Sequence, residues 1–323
     1  MNKNIQEKLE LFVDNYQNIK GDFIWQEGMA KRLAALAYAI EGKKIDTDAI
    51  RTCHNMLKSE TGVFSSFRGN LSIFMAASLS LHEQPSHVLS DTLRVHELLR
   101  SVKFWQSDYL AVTAYEIAVN AERGRFERVV QRTREFFDEM KANHRFLICK
   151  DDYIFAAMLA LSDIEPHAGA LKLKRLFLDL KSEFSFFTGK NSVLTLCKML
   201  VLGGSTAECE DRLLRLNRAF KKRKISFDKT YTLPSLGVLT MLDVDGNTLA
   251  DELISARDYL RAQKGFGVFS VDNQELLLYA VSLLTCSHAW LATSSVANLI
   301  IAQQVAMITA LSAASASAAA ASC

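Results

Sequence analysis

Two kinds of segment alternate along this chain, and that alternation limits what it can fold into more than any other feature. Segments of the first kind are long, charged and amphipathic: in residues 125–141 the apolar side chains form one helical stripe and the charged ones fill the remainder. Segments of the second kind are short and carry almost no charge, as in YIFAAMLALS (153–162) and LLLYAVSLLT (276–285). Such segments are too short to cross a bilayer, and apolar character on every face is typical of a buried helix. The alternation therefore predicts an all-α protein of helical hairpins, each with one charged and one buried helix.

The connections between these segments alternate as well. Each loop from a charged segment to the next apolar one contains aromatic residues, and from Asn70 onward each ends in an Asp or Asn that recurs about every 40 positions. A two-helix unit of that length is typical of helical repeat proteins. We therefore predict a degenerate array of about seven antiparallel hairpins, either a closed α/α toroid or an open α-solenoid. Because hairpins alternate in direction, all the aromatic loops should lie at one end of the array.

We expect residues 1–323 to form a single helical-repeat domain. Only three prolines occur, which favours long uninterrupted helices. After Glu275 the chain contains no Asp, Glu, Lys or Arg, and we expect a last buried helix followed by a loose Ala/Ser-rich tail at 312–323. The alternative for 296–320 is a contact with a membrane surface or a partner helix.

Charge and cysteine usage favour the cytoplasm and argue against two classes of partner. The 38 Lys and Arg residues nearly balance 36 Asp and Glu, so no overall field favours nucleic acid, and we do not expect a membrane as partner either. The one strong basic run, 221–224, lies where a helix should end and offsets its dipole. The six cysteines form no C-x-x-C pair, and the charged N-terminus lacks the apolar core of a signal peptide.

The aromatic-loop end is where we expect a site, if the chain has one. Acid–base sugar chemistry needs two carboxylates beside an aromatic platform. The candidate catalytic carboxylates at this end are Asp108, Asp151, Asp152, Asp228 and Asp272. The candidate ligand-binding residues are Trp105, Phe146, Asn191, Phe227 and Phe269. The simpler interpretation is that each Asp or Asn caps its helix and each aromatic packs over the first turn, which explains why every hairpin has the feature.

Motifs for metals and cofactors are absent from the sequence. None of the seven histidines has the spacing of metal ligands, and residues 243–247 (DVDGN) fail the register of a calcium loop. No phosphate-binding loop, dinucleotide fingerprint or G-x-S-x-G motif occurs. We therefore expect no metal and no cofactor.

The opening ELFVDNYQNIKGDFIWQ (10–26), the degenerate hairpins and the Ala-rich, uncharged C-terminus resemble an uncharacterised family of Gram-positive bacterial proteins, the domain of unknown function four thousand and three. The resemblance covers nearly the whole chain. It implies a bacterial, cytosolic helical protein and supplies no catalytic residues.

Three functions stay open at this point. The first is a non-catalytic helical-array protein that binds a protein, a peptide or a small molecule. The alternative is an α/α-toroid enzyme that acts on a carbohydrate or another small polar substrate with paired carboxylates. The third is peripheral membrane association through the uncharged C-terminal segment. The sequence leaves undecided whether the chain is an enzyme.

Overall fold

The computed structural model describes residues 3–24, 28–63, 65–69, 71–184, 189–204, 207–227 and 232–288. Within these ranges the chain forms fourteen α-helices and three short 3-10 helices, and no strand. The α-helices are α1 (Lys3–Ile19), α2 (Gly28–Ile40), α3 (Thr47–Glu60), α4 (Ser72–Ser80), α5 (Pro85–Ser101), α6 (Asp108–Asn120), α7 (Phe126–Asn143), α8 (Tyr153–Leu161), α9 (Pro166–Leu180), α10 (Lys190–Leu202), α11 (Ala207–Lys222), α12 (Leu233–Thr240), α13 (Gly246–Ala262) and α14 (Asn273–His288). The predicted all-α class and the seven charged–apolar helix pairs are confirmed.

The chain divides into two compact units. One, here the early unit, contains residues 18–37 and 45–174; the other, the late unit, contains 1–17, 38–44 and the described residues from 175 onward. The toroid and the solenoid both stay predictions. The expected tail at 312–323 and the segment 296–320 lie outside the described residues.

Each unit is built from two layers of helices. In the early unit α3 packs against α4, α5 against α6 and α7 against α8, while α5 also packs against α7 and α6 against α8. In the late unit α11 packs against α12 and α13 against α14, while α10 and α14 both pack against α12, and α11 packs against α13. The charged helices therefore form one layer and the apolar helices the other.

Burial explains why the apolar helices carry so little charge. In α8 all residues from Tyr153 to Ala160 are buried, and in α12 all residues from Leu233 to Thr240. A helix buried on every face cannot hold a charge without a costly loss of solvation. No helix among the described residues is long and apolar enough to cross a membrane.

The aromatic loops are joined to the charged helices that follow them. In the first three aromatic loops a buried or half-buried Phe packs edge-on against a ring of the next charged helix. The pairs, with their ring-centroid distances, are Phe23–His54 (6.0 Å), Phe67–His96 (5.1 Å) and Phe104–Phe137 (5.5 Å). Successive hairpins are thus connected through their loops as well as through helix packing.

In the late unit the last aromatic loop packs against the first helix of the chain. Phe266, which follows α13, lies 5.3 Å from Phe12 and 5.1 Å from Tyr16, both on α1. The side chain of Asn4 also donates a hydrogen bond to the carbonyl of Ser287 at 3.2 Å. Helix α1 therefore has the same relation to this loop that a following charged helix has to the earlier loops.

Three charged helices have a charged residue at equivalent positions, which are separated by multiples of 40 residues. Arg132 on α7 donates hydrogen bonds to the carbonyls of Ala160, Ser162 and Ile164, at the end of α8. Arg212 on α11, two repeats of 40 residues later, donates to the carbonyls of Leu242 and Val244 at the end of α12. One repeat further, Glu252 on α13 bonds to His288 at the end of α14, at 2.7 Å. Side-chain contacts at multiples of 40 residues therefore tie a charged helix to the end of its apolar partner.

Candidate functional site

A cleft of about 1380 Å³ lies in the early unit, among the loop that follows α5, one face of α7 and the loop that follows α7. Five basic side chains and one carboxylate line it, an excess of four positive charges where the whole chain has an excess of two. The basic residues are Arg100, Lys103, Arg134, Lys141 and Lys150, and the carboxylate is that of Asp138. The cleft therefore concentrates positive charge in a protein that is nearly neutral.

Helix α7 supplies one wall because its polar residues recur at helical spacing. Arg134, Asp138 and Lys141 lie three and four positions apart and so share one face. The Nε of Arg134 donates to Asp138 at 2.8 Å. The same guanidinium lies 5.2 Å from the ring of Phe104 and 5.3 Å from that of Phe137, within the range of a cation–π interaction. Arg134 is thus held by a carboxylate and two rings.

The floor of the cleft is aromatic. The rings of Phe104, Phe137 and Tyr153 pack edge-on, with centroids 4.6 Å apart for Phe104–Tyr153 and 5.1 Å apart for Phe137–Tyr153. Burial raises the pKa of the Tyr153 hydroxyl, so this group stays protonated at neutral pH. Trp105, next to this cluster in sequence, is 72% exposed at the edge of the cleft. The site therefore pairs a rigid aromatic floor with one open indole.

The backbone conformation at the end of α5 explains why the adjacent side chains of Phe104 and Trp105 point in opposite directions. Lys103 has a φ of 67°, the left-handed conformation usual for Gly at a helix end. Its N–H donates to the carbonyl of Arg100, and the N–H of Phe104 donates to that of Leu99. This sharp turn buries Phe104 and leaves Trp105 exposed.

Most cations of the cleft are available to a ligand. Within the part of the chain that the structure describes, Arg100, Lys103 and Lys150 form no ion pair, and Lys141 contacts only the ring of Phe137, at 5.4 Å. The only lining carboxylate is already paired with Arg134, so the lining holds no pair of carboxylates for acid–base chemistry. The arrangement is suited to holding negative charge.

The candidate carboxylates of the early unit have separate roles. Ser107, not Asp108, is the N-cap of α6: its hydroxyl accepts from the N–H of Leu110 at 3.2 Å. The half-buried carboxylate of Asp108 lies against Gly69, and burial raises its pKa. Asp152 is buried and accepts from the N–H of Cys149 at 2.9 Å, while Asp151 is half-buried beside it.

The other two carboxylates belong to the late half of the sequence. Asp272 accepts from the N–H of Glu275 at 2.8 Å and so caps α14, as the simpler interpretation predicts. Asp228 lies outside the described residues.

The candidate ligand-binding residues are dispersed. Trp105 alone among them lines the cleft. Phe146 and Phe269 are fully exposed on their loops, whereas Phe227 is buried against Phe220, with centroids 5.4 Å apart. Asn191 is half-buried at the second position of α10. Sequence reasoning missed Arg134, Phe137 and Tyr153, although the spacing of Arg134 and Lys141 on one helical face was a signal.

Exposed large hydrophobic side chains are concentrated at the aromatic loops. Of eight such residues in the described ranges, six lie in these loops and two on α9. The six are Ile24, Val63, Trp105, Phe146, Val268 and Phe269. The described parts of the opposite connections contain none. The two ends of the hairpins thus differ in surface chemistry.

Comparison with known proteins gives one match. The model of a family described as "Protein of unknown function (DUF4003)" matches residues 15–314. No curated protein and no solved structure matches the chain. Within the described residues, no group of three or more His, Cys, Asp or Glu side chains is placed to hold a metal ion.

Proposed function

This chain belongs to the DUF4003 family of proteins of unknown function, and we propose that it is a non-catalytic binding protein whose cleft holds an acidic peptide segment of a partner protein. The observation that carries the proposal is the local excess of four positive charges around an aromatic floor. Basic side chains without acidic partners steer and hold an anionic ligand.

The size of the cleft supports a peptide over a small molecule. Small-molecule sites usually enclose about 300–1000 Å³, and this cleft is larger, at about 1380 Å³. Its cations also lie at the end of α5, on the loops that follow α5 and α7, and on α7, so that a ligand must extend to reach them all. An acidic chain segment meets both requirements.

The aromatic residues support a ligand that also has apolar groups. Trp and Tyr are enriched where binding energy is concentrated, because each offers a large rigid surface with a polar end. Trp105 is exposed and its backbone is tied to the buried Tyr153. The backbone that carries the indole is therefore fixed by a contact within the protein.

We further propose that the protein acts in the bacterial cytoplasm. Cys53 and Cys197 are buried free thiols, as expected in a reducing compartment. The carbohydrate-enzyme and membrane alternatives stay predictions, since no observation within the described residues favours the paired carboxylates or the C-terminal segment.

Fluorescence anisotropy with a labelled peptide of Glu and Leu residues, and with its Gln-for-Glu analogue, tests the proposal. We expect the acidic peptide to bind at low salt and the Gln analogue to bind at least about tenfold more weakly, with affinity falling as salt rises. The double variant Lys141→Gln/Lys150→Gln should weaken binding about tenfold, since each exposed ion pair contributes about 0.5–1 kcal/mol.

The matched control is Lys221→Gln/Lys222→Gln, which removes two equally exposed lysines from the end of α11. It should leave binding unchanged. Equal affinity for the acidic and the Gln peptide, or equal loss in the two double variants, contradicts the proposal.

A further inference from the structure

Among the described residues, each aromatic loop of the early unit carries one protruding hydrophobic side chain. Ile24 follows α1, Val63 follows α3, Trp105 follows α5 and Phe146 follows α7, and their exposed fractions run from 71% to 91%. We call these four the loop-tip residues. A single exposed hydrophobic residue is ordinary, but one on every successive loop and none in the described parts of the opposite connections is a pattern.

The four loops follow one another in space. Asp22, beside the first loop tip, bonds to Arg51 of α3 at 2.9 Å, and Phe23 contacts His54 of the same helix. Phe67 and Phe104 make the corresponding contacts with α5 and α7. Helix α3 packs against α5, and α5 against α7. Because packed helices lie about 8–10 Å apart, we expect the loop tips that follow these three helices to be separated by a step on the order of 10 Å.

The distance between successive loop tips matches the distance after which side chains of a polyproline II segment return to the same face. A polyproline II segment has three residues per turn and rises about 3.1 Å per residue, so every third side chain returns to the same face after about 9 Å. In a β-strand the third residue points to the opposite face. An α-helix returns to one face after seven residues, but a bound helix needs a continuous apolar groove, and the basic cleft interrupts the surface between the loops of Trp105 and Phe146.

From this match we infer that the partner segment lies extended across the loop ends in the polyproline II conformation. It presents an apolar side chain at every third position to the loop-tip residues and acidic side chains between them. This inference rests on the proposed function and names the conformation and the sequence pattern of its ligand.

The distribution of charge supports the same arrangement. Arg100 and Lys103 lie beside Trp105 at the end of α5, and Lys141 and Lys150 bracket the loop of Phe146. An acidic residue placed between two apolar ones would therefore meet cations on both sides of the cleft. Because the cations lie between the loop-tip residues, a peptide that alternates acidic and apolar side chains fits this surface better than a purely acidic or a purely apolar one.

Three labelled peptides of equal length and equal charge test the inference by fluorescence anisotropy with the full chain. One repeats the triplet Leu-Glu-Pro, the second has Ala in place of Pro and places its Leu residues at heptad spacing, and the third is a shuffled form of the first. We expect the triplet peptide to bind about tenfold more tightly than either of the others.

Two single variants probe the span of the contact. Val63→Ser and Phe146→Ser should each weaken binding of the triplet peptide about tenfold, because each removes one apolar side chain that the bound peptide would cover. Val63 is informative because it does not line the basic cleft. The matched control Val268→Ser/Phe269→Ser changes two equally exposed loop residues of the late unit and should have no effect.

The outcomes separate this inference from the proposed function. Equal binding of all three peptides, with the loss in Lys141→Gln/Lys150→Gln retained, overturns the inference and leaves the proposed function standing. Failure of every acidic peptide to bind overturns both. Binding to phosphatidylglycerol vesicles that Val63→Ser and Phe146→Ser abolish, without peptide binding, would make the loop-tip residues a membrane anchor and also overturn the inference.

Discussion

The backbone N–H of Trp105 donates a hydrogen bond to the hydroxyl of Tyr153 at 3.3 Å. This bond joins the loop after α5 to the first residue of α8. It links two hairpins at the edge of the basic cleft and holds the loop backbone that carries the exposed indole of Trp105.

Tyr153→Phe removes the acceptor of that bond. We expect the free energy of unfolding to fall by about 1 kcal/mol and the amide of Trp105 to exchange with solvent faster, as measured by hydrogen exchange. The control is Tyr259→Phe, since the hydroxyl of Tyr259 has no hydrogen bond to any described residue. Unchanged exchange at Trp105 would show that the loop is held by ring packing alone.

Arg132→Met tests the contact that recurs along the charged helices. The change keeps most of the side-chain length and removes the hydrogen bonds to three carbonyls at the end of α8. We expect the free energy of unfolding to fall by about 2 kcal/mol, because those carbonyls lose a charged donor. Denaturant unfolding provides the measurement, and Arg128→Met, on the exposed side of α7, should change it little. Equal effects of the two changes would mean that Arg132 does not hold the end of α8.

Gly265→Ala tests the packing of the last loop on the first helix. Gly265 has a φ of 90°, and an added Cβ would lie 2.7 Å from a ring carbon of Tyr16. Backbone strain and steric overlap should together lower the free energy of unfolding by about 2 kcal/mol or more. Gly267→Ala is the matched control in the same loop, since its Cβ would meet nothing within 4 Å. A thermal melt of each variant decides, and equal melting temperatures would contradict the expectation.

Glu116 makes stability depend on pH. It is buried in α6, and burial raises its pKa to about 7, although Asn120 donates a hydrogen bond to it. Between about pH 4.5 and pH 7 the folded protein therefore keeps a proton that the unfolded chain releases. The free energy of unfolding should consequently decrease across this range as pH rises, by about 3 kcal/mol in all, and then level off.

Glu116→Gln should abolish this dependence and make the protein more stable than the parent at pH 8. Urea unfolding at pH 5, 6, 7 and 8 gives the profile. Glu135→Gln, an exposed substitution on α7, should leave it unchanged. A parent protein whose stability is flat from pH 5 to pH 8 would rule out a buried, neutral Glu116.

The helix pairs could be predicted because burial and charge leave a direct record in sequence. α8 has no charged residue and is buried from Tyr153 to Ala160, so its composition alone indicated its place. Capping was harder to predict. Ser107 and Asp108 are adjacent and both residue types are good N-caps, and only the backbone shows that Ser107 holds that position.

The cleft could not be predicted because its residues are brought together by packing. Phe104 and Tyr153 are separated by almost 50 positions, and they meet because the loop after α5 folds onto α7. The pairing of Arg132 with the end of α8 was missed for a related reason. Arg132 and Arg212 make the same kind of long-range contact, but the segments around them share little sequence identity.

The contact between α1 and residues 264–287 has a consequence for how the protein is made. Helix α1 leaves the ribosome well before Phe266 and Tyr279, the partners of Phe12 and Tyr16, have been synthesised. The described residues of the early unit end at position 174, so they can assemble during translation while these partners are still missing. During that interval α1 exposes the apolar face that Phe266 and Tyr279 later cover. The emerging polypeptide therefore has a period, set by the number of residues between α1 and these partners, in which a chaperone can bind α1.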